Sequence, residues 1–118
     1  AGADVVYQAA GGSGGGVFTA AKAAGKMAIG VDSDQAKTAA ADVRDVIITS
    51  MLKKVDVGVY DFIKSVKDGT FKAGNKVFDL KAGGVDYSTT GGKIDDIKAK
   101  LDDYKAKIIA GTITVPSK

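Results

Sequence analysis

Cysteine, histidine and tryptophan are absent from this sequence, and proline occurs once. Without thiols there is no disulfide framework, no cysteine nucleophile and no zinc–thiolate centre. Without imidazole the usual general base near neutral pH is gone, and with it the commonest metal ligand. Ser–His and Cys–His pairs are therefore excluded, which thins the case for catalysis without deciding it; the expectation carried forward is a protein that is not an enzyme, with no catalytic residues, no metal and no cofactor. No apolar run approaches the roughly 18 residues of a membrane-spanning helix. The lack of cysteine leaves the redox compartment open.

What remains is the composition of a globular domain. The 118 residues suit one domain, and 45% hydrophobic with 26% charged residues is too apolar for a disordered chain. Seventeen basic residues stand against 14 acidic ones, a net charge of +3. The charges are interleaved, as in Lys98, Lys100, Asp102, Asp103, Lys105 and Lys107. That pattern describes a solvated helix face rather than a stripe tracking phosphates. Four Tyr and four Phe are scattered and form no stacking platform, so no nucleic-acid partner is expected.

Patterning predicts alternating strands and helices. Asp4 to Ala10 is apolar on both faces, as in a strand buried between layers, and Gly11-Gly12-Ser13-Gly14-Gly15-Gly16 interrupts it. A helix is expected over Val17 to Ala24 with Gly25 as its stop, then a strand over Met27 to Val31 ending at Asp32-Ser33-Asp34. Gln35 to Arg44 reads as a loop with a helical turn, and Val46 to Thr49 as a third buried strand. Val55, Val59, Phe62 and Val66 recur at helical spacing within Leu52 to Val66, and Asp68-Gly69 closes that helix. Val77 to Leu80 and Val85 to Tyr87 read as a fourth and a fifth strand. Ile94, Ile97, Leu101, Tyr104 and Ile108 mark a last helix capped by Gly111, and Ile113 to Lys118 a short strand or extended tail. Such alternation implies an α/β fold with a mainly parallel sheet flanked by helices.

In open parallel sheets ligands bind at the carboxyl ends of the strands. Three segments fall there: Ala10 to Gly16, Asp32 to Gln35 and Ser50 to Lys54. The glycine turn either brings backbone N–H groups against a ligand or simply makes a tight strand-to-helix turn. Gly12-Ser13-Gly14 begins a dinucleotide fingerprint, and Asp32 follows Gly12 by the expected spacing of about 20 residues. Val17 stands where the third small residue belongs. A carboxylate at Asp32 or Asp34 also suits the vicinal hydroxyls of a sugar, its bland alternative being a turn or cap acid. Lys53, read as the start of a helix, opposes the helix dipole there, which hints at a role other than helix stability.

Three ordered segments carry a family resemblance. Gly2-Ala3-Asp4-Val5-Val6-Tyr7-Gln8-Ala9-Ala10-Gly11-Gly12-Ser13-Gly14 resembles the family's G-A-D-V-I-x-x-A-A-G-G-T-G, and Ile29-Gly30-Val31-Asp32-Ser33-Asp34-Gln35 its I-G-V-D-S-D-Q. Thr49-Ser50-Met51-Leu52-Lys53-Lys54-Val55-Asp56 is similar to its T-S-x-x-K-x-V-D. The family is the basic membrane protein (BMP) group of substrate-binding lipoproteins, similar to the purine-nucleoside receptor of ABC transporters. The resemblance implies a type I periplasmic-binding-protein fold, in which two α/β lobes close on a ligand. These residues would be its C-terminal portion, about 1–50 in lobe two and about 51–118 in crossover segments and closing elements.

By that resemblance Gly11 and Gly12 line the cleft, Asp32 accepts from ribose hydroxyls and Lys53 donates to the ribose, with Asp34 and Ser50 as further candidates. The implied function is an extracytoplasmic solute-binding component, anchored by a lipid outside these residues, which delivers a nucleoside or similar small polar molecule to an ABC permease. The chain opens directly on an apolar strand, as expected of a piece completed by an N-terminal half or companion chain. Two alternatives remain open: an NAD-type cofactor-binding lobe of an oxidoreductase, and a non-catalytic interaction domain that needs a partner chain.

Overall fold

A computed structural model describes residues 2–116. Four strands form one sheet in the order β1 (Val5–Tyr7), β2 (Met27–Asp32), β3 (Ile47–Lys53) and β4 (Val85–Tyr87). The helices are α1 (Gly14–Ala23), α2 (Gln35–Thr38), α3 (Val55–Lys67) and α4 (Asp95–Ile109). β1 pairs with β2 and β2 with β3, both parallel. A bulge shifts the register, so that Ala28 faces Ile47 while Ile29 faces Thr49 and the intervening Ile48 is skipped. Beside β3 the Ser88 N–H donates to Ser50 O and the Lys54 N–H to Gly84 O, so the neighbouring chain runs in the opposite direction. The result is the expected α/β fold with a mainly parallel sheet.

The described residues divide into two compact units. The first contains the chain up to Leu52 together with Tyr87–Ala99; the second contains Lys53–Asp86 and the chain from Lys100 onward. In the first, Phe18 and Ala21 of α1 pack on Ala28 of β2, Ile47 of β3 and the turn residues Val43 and Val46, with Ala36 and Ala39 at the margin. In the second, Phe62 and Phe71 meet edge to face at 5.4 Å, and Lys105 pairs with Asp86 at 2.8 Å.

Several sequence expectations change. Strand β1 is shorter than Asp4 to Ala10 and is exposed, because it is the edge of the sheet rather than an inner strand. Helix α1 starts at Gly14 rather than Val17, the glycines joining it despite their low propensity. β3 runs on to Lys53 and α3 begins only at Val55, so Lys53 ends a strand and Lys54 is the N-cap. Val77 to Leu80 is not a strand: Asp79 Oδ1 accepts from the Ala82 N–H at 2.8 Å and Gly84 N–H reaches Asp79 O, a side-chain turn that displaces sheet pairing. The apolar stripe of α3 exists but buries no residue. Ile113 to Pro116 forms no strand, and Ser117 and Lys118, like Ala1, lie outside the described residues. Among the described residues no helix is long and apolar enough to cross a membrane.

Candidate functional site

Because β1, β2 and β3 are parallel, their carboxyl ends gather at one end of the sheet. There the first unit places Gly11, Gly12, Asp32 and Asp34, while Ser50, expected just after a strand, lies in the middle of β3 opposite Gly30. Lys53, the last residue of β3, belongs to the second unit.

After β1 the chain passes Gln8 and makes a single 3-10 turn over Gly11–Ser13 before α1. Gly11 has φ +54°, so glycine is favoured there by its backbone. Gly12 is exposed, and a side chain added to it would meet only open space. Gly14 has a different requirement. It is buried, and a Cβ there would overlap the Gln8 carboxamide.

Asp32 ends β2 with φ +68°, the only non-glycine among the described residues in the left-handed region. Left-handed backbone costs an ordinary residue about 1–2 kcal/mol, less for Asp, whose short side chain bonds locally. Such a conformation persists where the surroundings over-determine it, and it clusters at ligand sites. Asp32 is exposed.

Asp34, two residues on, has a different environment. Its Oδ2 accepts from the Thr90 hydroxyl at 2.6 Å and from Lys37 Nζ at 3.2 Å, while Oδ1 is sealed from solvent with no hydrogen-bond partner. Burial pushes this carboxyl up, but the bonds from Thr90 and Lys37, the Lys37 charge and the nearby Ser88 hydroxyl together outweigh it and hold it below its ordinary value. Ser50 is fully buried. Its Oγ accepts from the Gln35 N–H at 3.1 Å and its N–H donates to Ser88 Oγ at 2.9 Å. Thr49 Oγ1 donates to Ser88 O at 2.7 Å, closing the stitch between β3 and the segment after β4.

Four polar residues at this end were given no role from the sequence: Gln8, Ser88 and Thr90, and Gln35, which only closed the candidate segment Asp32 to Gln35. Gln8 Oε1 accepts from Ala10 N–H at 3.0 Å, and Gln8 Nε2 donates to Gln35 Oε1 at 2.8 Å. Gln35 Oε1 also accepts from Val31 N–H at 2.8 Å. One signal was available, since Gln8 interrupts an otherwise apolar run from Val5 to Ala10, and a buried polar residue needs partners. Nothing in the local pattern marks Ser88 or Thr90, which come from a distant part of the chain. Among the described residues no group of three or more His, Cys, Asp or Glu residues is placed to hold a metal.

A family model described as "ABC transporter substrate-binding protein PnrA-like" matches residues 1–118. The chain is 43% identical to the ABC transporter nucleoside-binding protein BmpA of Lactococcus lactis, and 40% identical to the CD4+ T-cell-stimulating antigen of Listeria monocytogenes. Each match covers 99% of this chain and 37% of the relative, so the chain spans little more than a third of the length of these curated relatives. Among solved structures it resembles a protein from Bacillus halodurans described as a transcriptional activator of the comK gene, with TM-score 0.76 and 28% identity over 90% of this chain and 36% of the other. It also resembles an ABC transporter solute-binding protein from Aeropyrum pernix, with TM-score 0.70 and 27% identity over 99% of this chain and 41% of the other. A similar protein from Conexibacter woesei, at TM-score 0.74 and 24% identity over 98% and 38% of the two chains, supports the fold alone. These matches favour neither the dinucleotide-lobe reading nor the interaction-domain reading.

Proposed function

Given that the chain belongs to the Bmp family of PnrA-like ABC transporter substrate-binding proteins, we propose that these residues are the C-terminal portion of a two-lobed extracytoplasmic receptor for a nucleoside or a closely similar polar molecule. The receptor delivers its ligand to an ABC permease. It is held at the membrane by a lipid anchor outside these residues, and its task is binding rather than catalysis.

The observation that carries the reading is Asp32. It is an exposed carboxylate at the end of a central parallel strand, in a backbone conformation that side-chain-bearing residues seldom adopt. A carboxylate offers two oxygens to the two hydroxyls of a ribose, and charge-assisted O–H···O⁻ bonds are short and about twice as strong as neutral ones. Closing a cleft over such bonds removes water and strengthens them further. Gly11 and Gly12 present backbone without side-chain bulk, which suits a flat base or sugar lying close to the turn. Lys53 supplies a further donor to the ribose. Asp34 and Ser50 act on the ligand indirectly: Ser50 is fully buried and engaged with Gln35 and Ser88, and Asp34 has its Oδ2 held by Thr90 and Lys37 and its Oδ1 sealed from solvent. The nucleoside assignment draws support from the Lactococcus relative, which bears that description.

Replacing Asp32 in the full-length receptor tests the reading. Asp32→Ala is expected to weaken adenosine binding at least tenfold in a calorimetric titration, and unchanged affinity would remove Asp32 from the site.

A further inference from the structure

Two side-chain amides, Gln8 buried and Gln35 half-buried, join the turns that follow β1 and β2. Gln8 is 4% exposed. Its orientation is dictated by the backbone: the Ala10 N–H must meet an oxygen, so Gln8 Oε1 faces it at 3.0 Å and Nε2 points the other way. The same logic fixes Gln35, whose Oε1 faces the Val31 N–H at 2.8 Å. The Gln8 nitrogen and the Gln35 oxygen then meet at 2.8 Å, a donor against an acceptor. The Gln35 N–H is tied in turn to Ser50 Oγ at 3.1 Å. The strands leave no spare room around this arrangement. A Cβ on Gly30 would stand 2.5 Å from Ser50 Oγ and 2.9 Å from Gln35 Oε1, and one on Gly14 would overlap Gln8.

The two backbone groups held in this way are significant. Ala10 immediately precedes Gly11, and Val31 immediately precedes Asp32. We infer that Gln8 and Gln35 are positioning residues, whose paired carboxamides lock the glycine turn to the left-handed Asp32 so that its carboxylate meets a sugar hydroxyl pair in a preset geometry. This rests on the reading of Asp32 given above. Preorganisation of this kind lowers the ordering cost of binding without a direct contact to the ligand.

The pairing is directional, and that makes it testable. Gln35 uses its oxygen for both the Gln8 and the Val31 bonds, so Gln35→Glu keeps that acceptor whereas Gln35→Leu loses it. Gln8 uses one atom of each kind, so Gln8→Glu sets two oxygens against each other. In the full-length receptor without ligand, site-resolved hydrogen exchange should show the Val31 amide opening at least tenfold faster in Gln35→Leu and in Gln8→Glu, and within threefold of the parent in Gln35→Glu. A Val31 amide that exchanges at the parent rate in Gln35→Leu overturns the clamp. So does a Gln35→Glu variant as open as Gln35→Leu.

The second arm compares adenosine with 2′,3′-dideoxyadenosine. The parent should prefer adenosine at least tenfold, Gln35→Leu by less than threefold, and Gln35→Glu nearly as strongly as the parent. Equal weakening of both ligands in Gln35→Leu overturns the positioning role and leaves a packing role. A parent receptor indifferent to the hydroxyls refutes the sugar-binding role of Asp32, while the exchange measurement still decides the clamp.

Discussion

The two units handle apolar surface in opposite ways. Every buried hydrophobic side chain among the described residues belongs to the first unit, with Phe18, Ala28, Ile47 and Ile94 at 2% exposure or less. In the second unit α3 buries no residue, and Val55, Val59, Phe62, Ile63 and Val66 are each more than half exposed. Both helices α1 and α3 were recognisable from sequence, but only α1 finds a core within its own unit. Periodicity therefore specifies that a helix has an apolar face, and not what covers it. On the proposed reading this is what a portion of a larger receptor should look like. The candidate residues on the first unit sit on a scaffold with its own core, which is where a preset geometry can be maintained.

Core truncation should separate the units most sharply. Phe18→Ala is expected to cost about 3–5 kcal/mol of stability, whereas Phe62→Ala in this chain should cost well under half as much because 54% of Phe62 is already exposed. Urea denaturation of the two variants checks this, and equal losses would erase the contrast.

The next effect concerns Asp34. Removing the Thr90 hydroxyl with Thr90→Val should cost about 1.5–3 kcal/mol at neutral pH, since the bond is to a charged acceptor with 20% side-chain exposure. Folding holds the Asp34 carboxyl below its ordinary value, so its stabilising contribution is present above the unfolded value, about 3.9. It is lost as pH falls through the lower folded value. Thr90→Val should flatten that acid limb of the stability profile, and a slope identical to the parent's would remove Asp34 from the account.

Two glycines offer a smaller, paired test. Gly30→Ala forces a Cβ against Ser50 and Gln35 and should destabilise by about 1–3 kcal/mol. Gly58→Ala, inside α3, finds the Phe78 ring at an ordinary 3.8 Å and should stabilise by about 0.5–1 kcal/mol through helix propensity. Thermal melts with the same sign for both would contradict the packing described. The smallest change in stability belongs to Asp32→Gly, which relieves the left-handed backbone by about 1 kcal/mol or less while removing the carboxylate. A receptor that is as stable or slightly more stable, yet binds nucleoside at least tenfold more weakly, is the expected outcome, measured by melting and calorimetry together.

Much of this was legible in the sequence because several elements along the chain obey local rules. Met27 to Asp32 is a compact apolar strand, Gly25, Gly69 and Gly111 all take positive φ at helix ends, and Asp32 falls at a strand terminus. What was illegible depended on contacts across the chain. The side-chain turn at Asp79 overrode the strand-like Val77 to Leu80, and the outer place of β1 among the described strands is a property of sheet order. The burial of Ser50 against Gln35 and Ser88 needed the third dimension, since Ser88 follows it by 38 residues. The pattern brought β2 to its end at Asp32 within one residue, but it ran β1 on to Ala10 and stopped β3 at Thr49, and it did not distinguish an exposed acid, Asp32, from a pinned one, Asp34.

The most direct test of the central claim is a native mass spectrum of the full-length receptor, recorded as purified and again with adenosine added. The account predicts a one-to-one complex that releases a molecule of nucleoside mass. A receptor that stays empty in excess adenosine, or releases only a ligand without a sugar, would contradict it.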